Sequence, residues 1–196
     1  VYIIACGTSY HAGLIARQLI EGWARIPVEV EAASEFRYRN PIITPSTLVV
    51  AVSQSGETAD TLAAIRDARI KGAKVFGITN VIGSPVARES DGVIYTKANK
   101  EIAVASTKSF LGQIVSLTLL AMVLAQAKGK LSIAQIRLLF KELADTAEQV
   151  EEVLSDTKAI DIAAQACKDA NNALFIGRGM GAAICYEGAL KLKEIS

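Results

Sequence analysis

Short apolar runs alternate with longer segments of helical spacing along the first half of the chain. Five of these runs are rich in β-branched residues and have the length of buried strands: residues 1–5, 28–32, 48–52, 74–79 and 92–96. Between them, apolar residues recur every third or fourth position, as at Ile15, Leu19 and Trp23. Strands that alternate with helices are typical of βαβ units. The pattern therefore predicts an α/β fold with a mostly parallel sheet of about five strands and helices on both faces.

The second half of the chain begins with helical segments alone. The spacing predicts three helices, over residues 107–125, 132–154 and 156–168, with Ser132 as the N-cap of the second. The first rhythm then returns, because residues 172–177 have the pattern of a strand and residues 182–195 that of a helix. We therefore divide the chain into a first domain (1–130), a helical connection (131–170) and the first strand–helix unit of a second, truncated domain (171–196).

Composition and charge exclude several classes of protein. Hydrophobic residues make up 51% and charged residues 21% of the 196 residues, so a sizeable core is possible and disorder is not expected. A net charge of +1 provides no basic field for nucleic acid or for an anionic membrane surface. Any anion site must therefore be built locally, from backbone N–H groups and hydroxyls.

The sequence also indicates a compartment. The longest apolar run, residues 114–125, is interrupted by Ser116 and Thr118 and is too short to cross a bilayer, and the chain opens on a strand-like run instead of a signal peptide. The 3 cysteines are far apart, have no metal-ligand spacing and indicate a reducing environment. We expect a cytoplasmic protein with no metal and with neither a nucleic-acid nor a membrane partner.

The polar loop Ser53-Gln54-Ser55-Gly56-Glu57-Thr58 carries the strongest local indication of chemistry. It follows the third predicted strand and precedes a segment of helical spacing that begins at Ala59. Hydroxyls, a glycine and the free N–H groups of a helix N-terminus together favour an anion, most often a phosphate. An ordinary helix cap at Ser55 or Thr58, with no ligand, is the alternative. The loop lacks the lysine of a P-loop, which favours a phosphomonoester over a nucleoside triphosphate.

This loop and four other segments resemble one protein family. The segments are residues 5–9 (ACGTS), 32–38 (AASEFRY), 53–58 (SQSGET), 101–108 (EIAVASTK) and 187–196 (EGALKLKEIS). They resemble the sugar isomerase (SIS) domains that bind phosphosugars, and most closely the sugar-phosphate half of the glutamine:fructose-6-phosphate amidotransferase family. The resemblance covers essentially the whole chain. It implies a flavodoxin-like strand order with the ligand beyond the carboxyl ends of the strands, and it identifies residues 171–196 as the start of a second SIS domain.

The resemblance also implies which residues bind the sugar phosphate. The loop after the third strand would hold the phosphate, the loop after the first strand would contact both the sugar hydroxyls and the phosphate, and the loop after the fifth strand would reach the sugar. The contacts implied are the hydroxyls of Ser53, Ser55 and Thr58 with the amide of Gln54, then Thr8 and Ser9, then the backbone of Val104 and the side chain of Ser106. From the residues alone, Ser9 and Ser106 are explained equally well as helix caps.

Lys191 and Glu194 are the candidates for catalysis. Their spacing places them on one face of the last predicted helix, where an ion pair on the surface is the simpler explanation. Aldose–ketose isomerisation requires a base that moves a proton between adjacent carbons, and a carboxylate suits this role. The resemblance implies that Glu194 is this base and that Lys191 assists it. His11, the only histidine, is interpreted as structural or solvated and not as catalytic.

The function that the resemblance implies is the sugar-phosphate-binding, isomerising part of an enzyme of hexosamine biosynthesis. The full enzyme would convert fructose 6-phosphate and glutamine-derived ammonia into glucosamine 6-phosphate and glutamate, without a cofactor. A glutaminase domain in the full-length chain and a homodimer are also implied, and the fragment alone is expected to be inactive. The alternatives are a non-catalytic phosphosugar sensor or regulator and a related phosphosugar isomerase or deglycase. The 187–196 segment favours the enzyme, because a sensor needs no base at Glu194.

Overall fold

The structure, a computed structural model, describes residues 1–195, and in this range it contains a single five-stranded parallel sheet. Its strands are β1 (Tyr2–Ala5), β2 (Glu29–Ala32), β3 (Leu48–Ser53), β4 (Lys74–Thr79) and β5 (Gly92–Tyr95). Their order across the sheet is β2-β1-β3-β4-β5, and every neighbouring pair is parallel. This is the flavodoxin-like order. The predicted α/β class, strand number and strand order are therefore confirmed.

Eight helices accompany the strands within the described residues. They are α1 (Gly7–Ala24), α2 (Ala33–Arg39), α3 (Ala59–Ile70), α4 (Pro85–Glu89), α5 (Lys108–Ala127), α6 (Ile133–Ser155), α7 (Lys158–Cys167) and α8 (Met180–Ile195). The sequence pattern predicted six of them. The two that it missed, α2 and α4, have only 7 and 5 residues, so neither is long enough to repeat an apolar face.

The two faces of the sheet carry separate apolar layers. On one face, Ile3 and Val50 pack with residues of α1 and α5, whereas on the other face Ile4 packs with Phe36 of α2 and Ile65 of α3. All five of these side chains are fully buried. Consecutive strand residues thus enter opposite layers, as the alternation of side chains along a strand requires. The predicted cover of helices on both faces is confirmed.

Helix α5 corrects one expectation about membranes. It has 20 residues, longer than the apolar run predicted from the sequence, and within the described part of the chain it is the one helix long and apolar enough to cross a bilayer. Half of its apolar window (50%) is nevertheless buried inside the protein, where Leu117, Ala121 and Ala125 join the layer formed with α1. A core helix passes the same test of length and composition, and the packing against α1 identifies α5 as one.

Helices α6 and α7 lie apart from this core, whereas α8 packs on α1 and adds Ala183 to its layer. Helix α6 begins with the predicted cap: Ser132 accepts a hydrogen bond from the N–H of Gln135, whose side chain bonds back in a complete capping box. Neither α6 nor α7 has a buried residue. The predicted strand over residues 172–177 is wrong, because these residues lie in neither a helix nor a strand. They have no hydrogen-bonded neighbour in the sheet, and an apolar run alone does not make a strand.

Candidate functional site

The strand order places two polar loops side by side. Strands β1 and β3 are neighbours although β2 separates them in the chain, and Ala5 is paired with Val52 at their carboxyl ends. The loops that follow these two residues therefore leave the sheet at the same edge and at the same level. From β1 the chain adds β2 on one side of the sheet and then β3, β4 and β5 on the other. The place between β1 and β3 where this direction changes is the switch point at which open α/β sheets bind their ligands.

The loop after β3 is held together by its own hydroxyls. The Oγ of Ser53 and the Oγ1 of Thr58 lie 2.9 Å apart, and the N–H of Gly56 donates to Ser53 Oγ at 3.0 Å. The N–H of Glu57 donates to Ser55 Oγ at 3.2 Å. These contacts hold residues 53–58 in a compact loop whose polar side chains have defined orientations.

The hydroxyls of this loop do not cap the following helix. Thr58 occupies the N-cap position of α3, but its side chain accepts no hydrogen bond from the N–H groups of the first turn. It bonds to Ser53 instead. The alternative in which the side chain of Ser55 or Thr58 caps α3 is therefore wrong. The N-terminal end of α3 remains without a side-chain cap, and it carries the partial positive charge that favours an anion.

Gly56 anchors the loop to the neighbouring strand. Its backbone has φ +66°, and a Cβ at this position would lie 2.1 Å from Ser84 Oγ and 2.7 Å from Thr79 Oγ1. The carbonyl of Gly56 accepts from the N–H of Val86, and that of Gln54 accepts from the N–H of Asn80. Only a residue without a side chain fits here, so the close approach to β4 and α4 fixes the position of the loop.

Ser9 lies in the first turn of α1, next to the loop after β1. Helix α1 begins at Gly7 with Cys6 as its N-cap, so Ser9 is not the cap that its sequence position allowed. Its hydroxyl is buried and accepts a hydrogen bond of 2.9 Å from Nε2 of Gln113 in α5. This contact joins the first turn of α1 to the second turn of α5 near the carboxyl edge of the sheet.

The loop after β5 approaches the same edge. Asn80, which follows β4, accepts from Thr96 Oγ1 and from the N–H of Ala98, and so holds the start of this loop. Further along, Val104 is 96% exposed, whereas the Oγ of Ser106 is buried without a hydrogen-bond partner in the described part of the chain. A buried hydroxyl of this kind is available to a ligand.

Glu101 stabilises the end of this loop. Its Oε2 accepts from both the backbone N–H and the Oγ of Ser109, at 3.1 and 2.6 Å. The hydrogen bond from the Ser109 side chain is the main cause that lowers the pKa of Glu101 below its ordinary value. Hydrogen bonds to the Glu101 carboxylate therefore connect this loop to the first turn of α5.

The terminal helix α8 brings the two predicted catalytic residues to the same end of the fold. It runs antiparallel to α1: Gly179 lies near Gln18, and Glu187 lies near Thr8. Because the N-terminal end of α1 is at the carboxyl edge of the sheet, the last turns of α8 reach that edge as well. Lys191 and Glu194 form the predicted ion pair there, with side chains only 19% and 31% exposed. The pair is thus partly sheltered and not fully solvated.

Two residues without a predicted role complete this cluster. Glu187 is buried, and its carboxylate accepts from Thr8 Oγ1 at 2.9 Å, contacts His11 Nδ1 at 2.7 Å and lies 3.5 Å from the Lys191 ammonium. The spacing of Glu187 and Lys191, four positions apart on one helix, was the signal in the sequence. The contact of His11 across to α8 had no such signal, because it joins positions 176 residues apart. Of its two interpretations, structural or solvated, this contact supports the structural one.

Comparison with known proteins identifies the fold family. The sequence model of the SIS domain family matches residues 1–123, well over half of the chain. This chain belongs to the SIS domain family. The switch-point loops after β1 and β3 both lie inside the matched part. The resemblance suggested by the sequence motifs is therefore confirmed for the family.

Among curated relatives, this SIS chain is similar to enzymes named glutamine–fructose-6-phosphate aminotransferase [isomerizing]. It is 53% identical over all 196 residues to the one from Chlorobaculum tepidum and 50% identical to the one from Clostridium perfringens. In both cases the match covers 100% of this chain and 32% of the relative. The chain thus spans about a third of the length of the curated relatives that it matches.

Solved structures give the same relationship. The C-terminal domain of glucosamine-fructose-6-phosphate aminotransferase from Francisella tularensis superimposes with a TM-score of 0.96 at 43% identity, covering 99% of this chain and 55% of that one. A putative phosphosugar isomerase from Silicibacter pomeroyi matches with a TM-score of 0.80 at 29% identity, over 98% and 56% of the two chains. The SIS chain is therefore similar along its whole length to part of the C-terminal domain of the aminotransferase.

Proposed function

We propose that this chain is the sugar-phosphate-binding part of a glutamine–fructose-6-phosphate aminotransferase. In the full reaction, ammonia derived from glutamine condenses with C2 of open-chain fructose 6-phosphate and releases water. A proton then moves from C1 to C2 and gives glucosamine 6-phosphate. The observation that carries the proposal is the compact loop of residues 53–58, at the switch point and in front of an uncapped helix. Similarity along the whole chain to enzymes of this name supports it, and favours the enzyme over a sensor.

The phosphate of the sugar would be bound by the loop after β3. The hydroxyls of Ser53, Ser55 and Thr58 and the amide of Gln54 would donate to its oxygens. A hydrogen bond gives roughly 0.5–1.5 kcal/mol, and about twice that when the acceptor is charged, so several such donors are needed for useful affinity. The N-terminal end of α3 adds a favourable field for the negative charge.

The sugar itself would extend from this loop towards α1 and α8. Thr8 and Ser9 lie on the α1 side, and the backbone of Val104 with the unpartnered hydroxyl of Ser106 lies on the side of the loop after β5. Glu194 would be the base that carries the proton from C1 to C2, with Lys191 beside it. No cofactor enters this scheme. We further propose a glutaminase domain elsewhere in the full-length protein, a homodimer and a cytoplasmic location.

The proposal is tested by the thermal stability of the chain with fructose 6-phosphate, glucosamine 6-phosphate or inorganic phosphate. A ligand at about a hundred times its Kd should stabilise the fold by roughly 2.7 kcal/mol. We expect both 6-phosphosugars to raise the Tm more than phosphate does. Ser53→Ala and Thr58→Val should abolish the shift.

The matched control is Ser46→Ala, the same truncation at an exposed serine before β3, on the opposite edge of the sheet. It should leave the ligand shift unchanged. If the 6-phosphosugars give no shift beyond that of phosphate, or if Ser53→Ala retains the full shift, then the loop is not the phosphate site and the proposed function fails.

A further inference from the structure

The only histidine of the chain makes a contact that the proposed chemistry does not yet use. His11 lies in the second turn of α1, and its side chain is only 14% exposed. Its Nδ1 lies 2.7 Å from Oε2 of Glu187 in α8, and its ring stacks on Tyr186 with 6.0 Å between ring centroids. Tyr10 packs edge-on against the same ring. The imidazole is therefore fixed in one orientation, with one nitrogen directed at a buried carboxylate.

The direction of this hydrogen bond follows from the chemistry of its partner. An ionised carboxylate can only accept hydrogen bonds, so Nδ1 must carry the proton and donate it. Thr8 Oγ1 donates to the other oxygen of the same carboxylate at 2.9 Å. Both oxygens of Glu187 are thus held from α1, and its side chain is 7% exposed. The carboxylate has little freedom to rotate.

The fixed carboxylate in turn orients the ammonium of Lys191. The Lys191 Nζ lies 3.5 Å from Glu187 Oε1 and pairs on its other side with Glu194 Oε2. A continuous set of contacts therefore runs from His11 through Glu187 and Lys191 to Glu194. If Glu187 were free to turn, Lys191 could follow it and leave Glu194 displaced by part of an ångström.

We propose that His11 is a positioning residue: through its Nδ1–H it fixes Glu187, and thereby holds Lys191 and Glu194 in the geometry that proton transfer needs. This inference rests on the proposed function, because it assumes that Glu194 acts on a bound sugar. It assigns His11 no contact with the substrate. It therefore concerns the rate of the proton transfer and leaves the binding of the phosphate to the loop after β3.

The first experiment examines the hydrogen bond itself. Because the chain has 1 histidine, a long-range proton–nitrogen NMR spectrum contains a single imidazole. We expect Nδ1 to be protonated in the neutral ring as well as in the cationic ring. Glu187→Gln should shift the neutral ring towards the Nε2–H form, whereas Glu21→Gln, on the same helix as His11, should not. A neutral ring that carries its proton on Nε2 in the wild type would overturn the proposal.

The second experiment measures turnover in the complete enzyme that the proposed function implies. His11→Leu should lower kcat by roughly tenfold to a hundredfold, the effect of a small displacement of reacting groups, while KM for fructose 6-phosphate stays the same. His11→Asn should recover most of the loss, because its side-chain N–H lies where Nδ1 lies. His11→Gln, which places its N–H at the position of the other ring nitrogen, is the matched control and should not recover it.

The outcomes separate this inference from the proposed function. A wild-type enzyme that neither binds nor turns over the sugar phosphate contradicts both. A wild type that turns over normally while His11→Leu keeps its kcat contradicts only the role of His11. Equal losses in the Leu, Asn and Gln variants would show that the position needs an imidazole for packing alone, and would also overturn it.

Discussion

The sharpest test of the loop geometry is the substitution Gly56→Ala. A left-handed backbone costs alanine roughly 1–2 kcal/mol. The new Cβ would also lie 2.1 Å from Ser84 Oγ and 2.5 Å from Ser84 Cβ, and Ser84 is itself buried. Overpacking of this kind costs about 1–3 kcal/mol, because the backbone has to shift. We therefore expect the variant to lose about 2–5 kcal/mol of unfolding free energy in urea denaturation, together with the thermal shift produced by sugar phosphate.

Gly83→Ala separates the two contributions. Gly83 has a similar backbone, with φ +70°, but a Cβ there would meet no atom within 4 Å. This variant should lose only the conformational part, roughly 1–2 kcal/mol, and should still bind the ligand. If the unfolding free energies of the two variants agree within about 0.5 kcal/mol, then Gly56 is not held against Ser84 and the account of the loop is refuted.

Two further predictions concern the loops around β4 and β5. Asp91 accepts a hydrogen bond from the N–H of Val75, which is the main cause that lowers its pKa below 3.8. The contribution of the ionised Asp91 to stability is therefore present above that pH and is lost as the pH falls through the lowered pKa. Asp91→Asn should be less stable than the wild type near neutral pH, and urea denaturation should show that this difference decreases in acid. A difference that stays constant with pH would contradict the assignment. Asn80→Ala removes the side chain that holds the start of the loop after β5, so it should lower the free energy of unfolding by about 1–3 kcal/mol and speed trypsin cleavage at Lys97 and Lys100. Asn80→Asp keeps the accepting oxygen and should be affected less. Equal cleavage rates in all three proteins would refute this role.

The sequence was sufficient for the sheet because β1, β3 and β4 contribute side chains to both apolar layers. Buried parallel strands are continuous apolar runs, such as residues 48–52, and they stand out between helices whose polar faces are solvated. The start of a helix could also be predicted where a side chain forms the N-cap, as Ser132 does for α6. The sequence allowed Ser9 as the N-cap of α1, but the helix begins at Gly7, because Cys6 is its N-cap without a side-chain hydrogen bond and Gly7 has a positive φ. No residue type at this point signals a helix start.

The candidate site was predictable only in part, because its parts come from distant segments. The loop of residues 53–58 is local, and its residue types alone indicated an anion site. The contact between Ser9 and Gln113 and the contact between His11 and Glu187 depend instead on how α1 packs against α5 and α8. Sequence spacing cannot show which side chains meet across two helices. The roles of the residues assigned by resemblance stay predictions until a ligand is measured.

The segment before α8 shows why a strand pattern is not sufficient for a strand. Phe175 is 44% exposed and packs on α8, where a Cβ at Gly188 would lie 2.9 Å from its ring, whereas Leu174 and Ile176 are 89% and 88% exposed. The exposed fraction alternates over these three residues as it does along a strand. No neighbouring strand in the described range supplies hydrogen bonds to this backbone. The local pattern thus agrees with Phe175 packing on α8, but a strand also needs backbone hydrogen bonds from a neighbouring segment. The division of the chain at residue 171 stays a prediction.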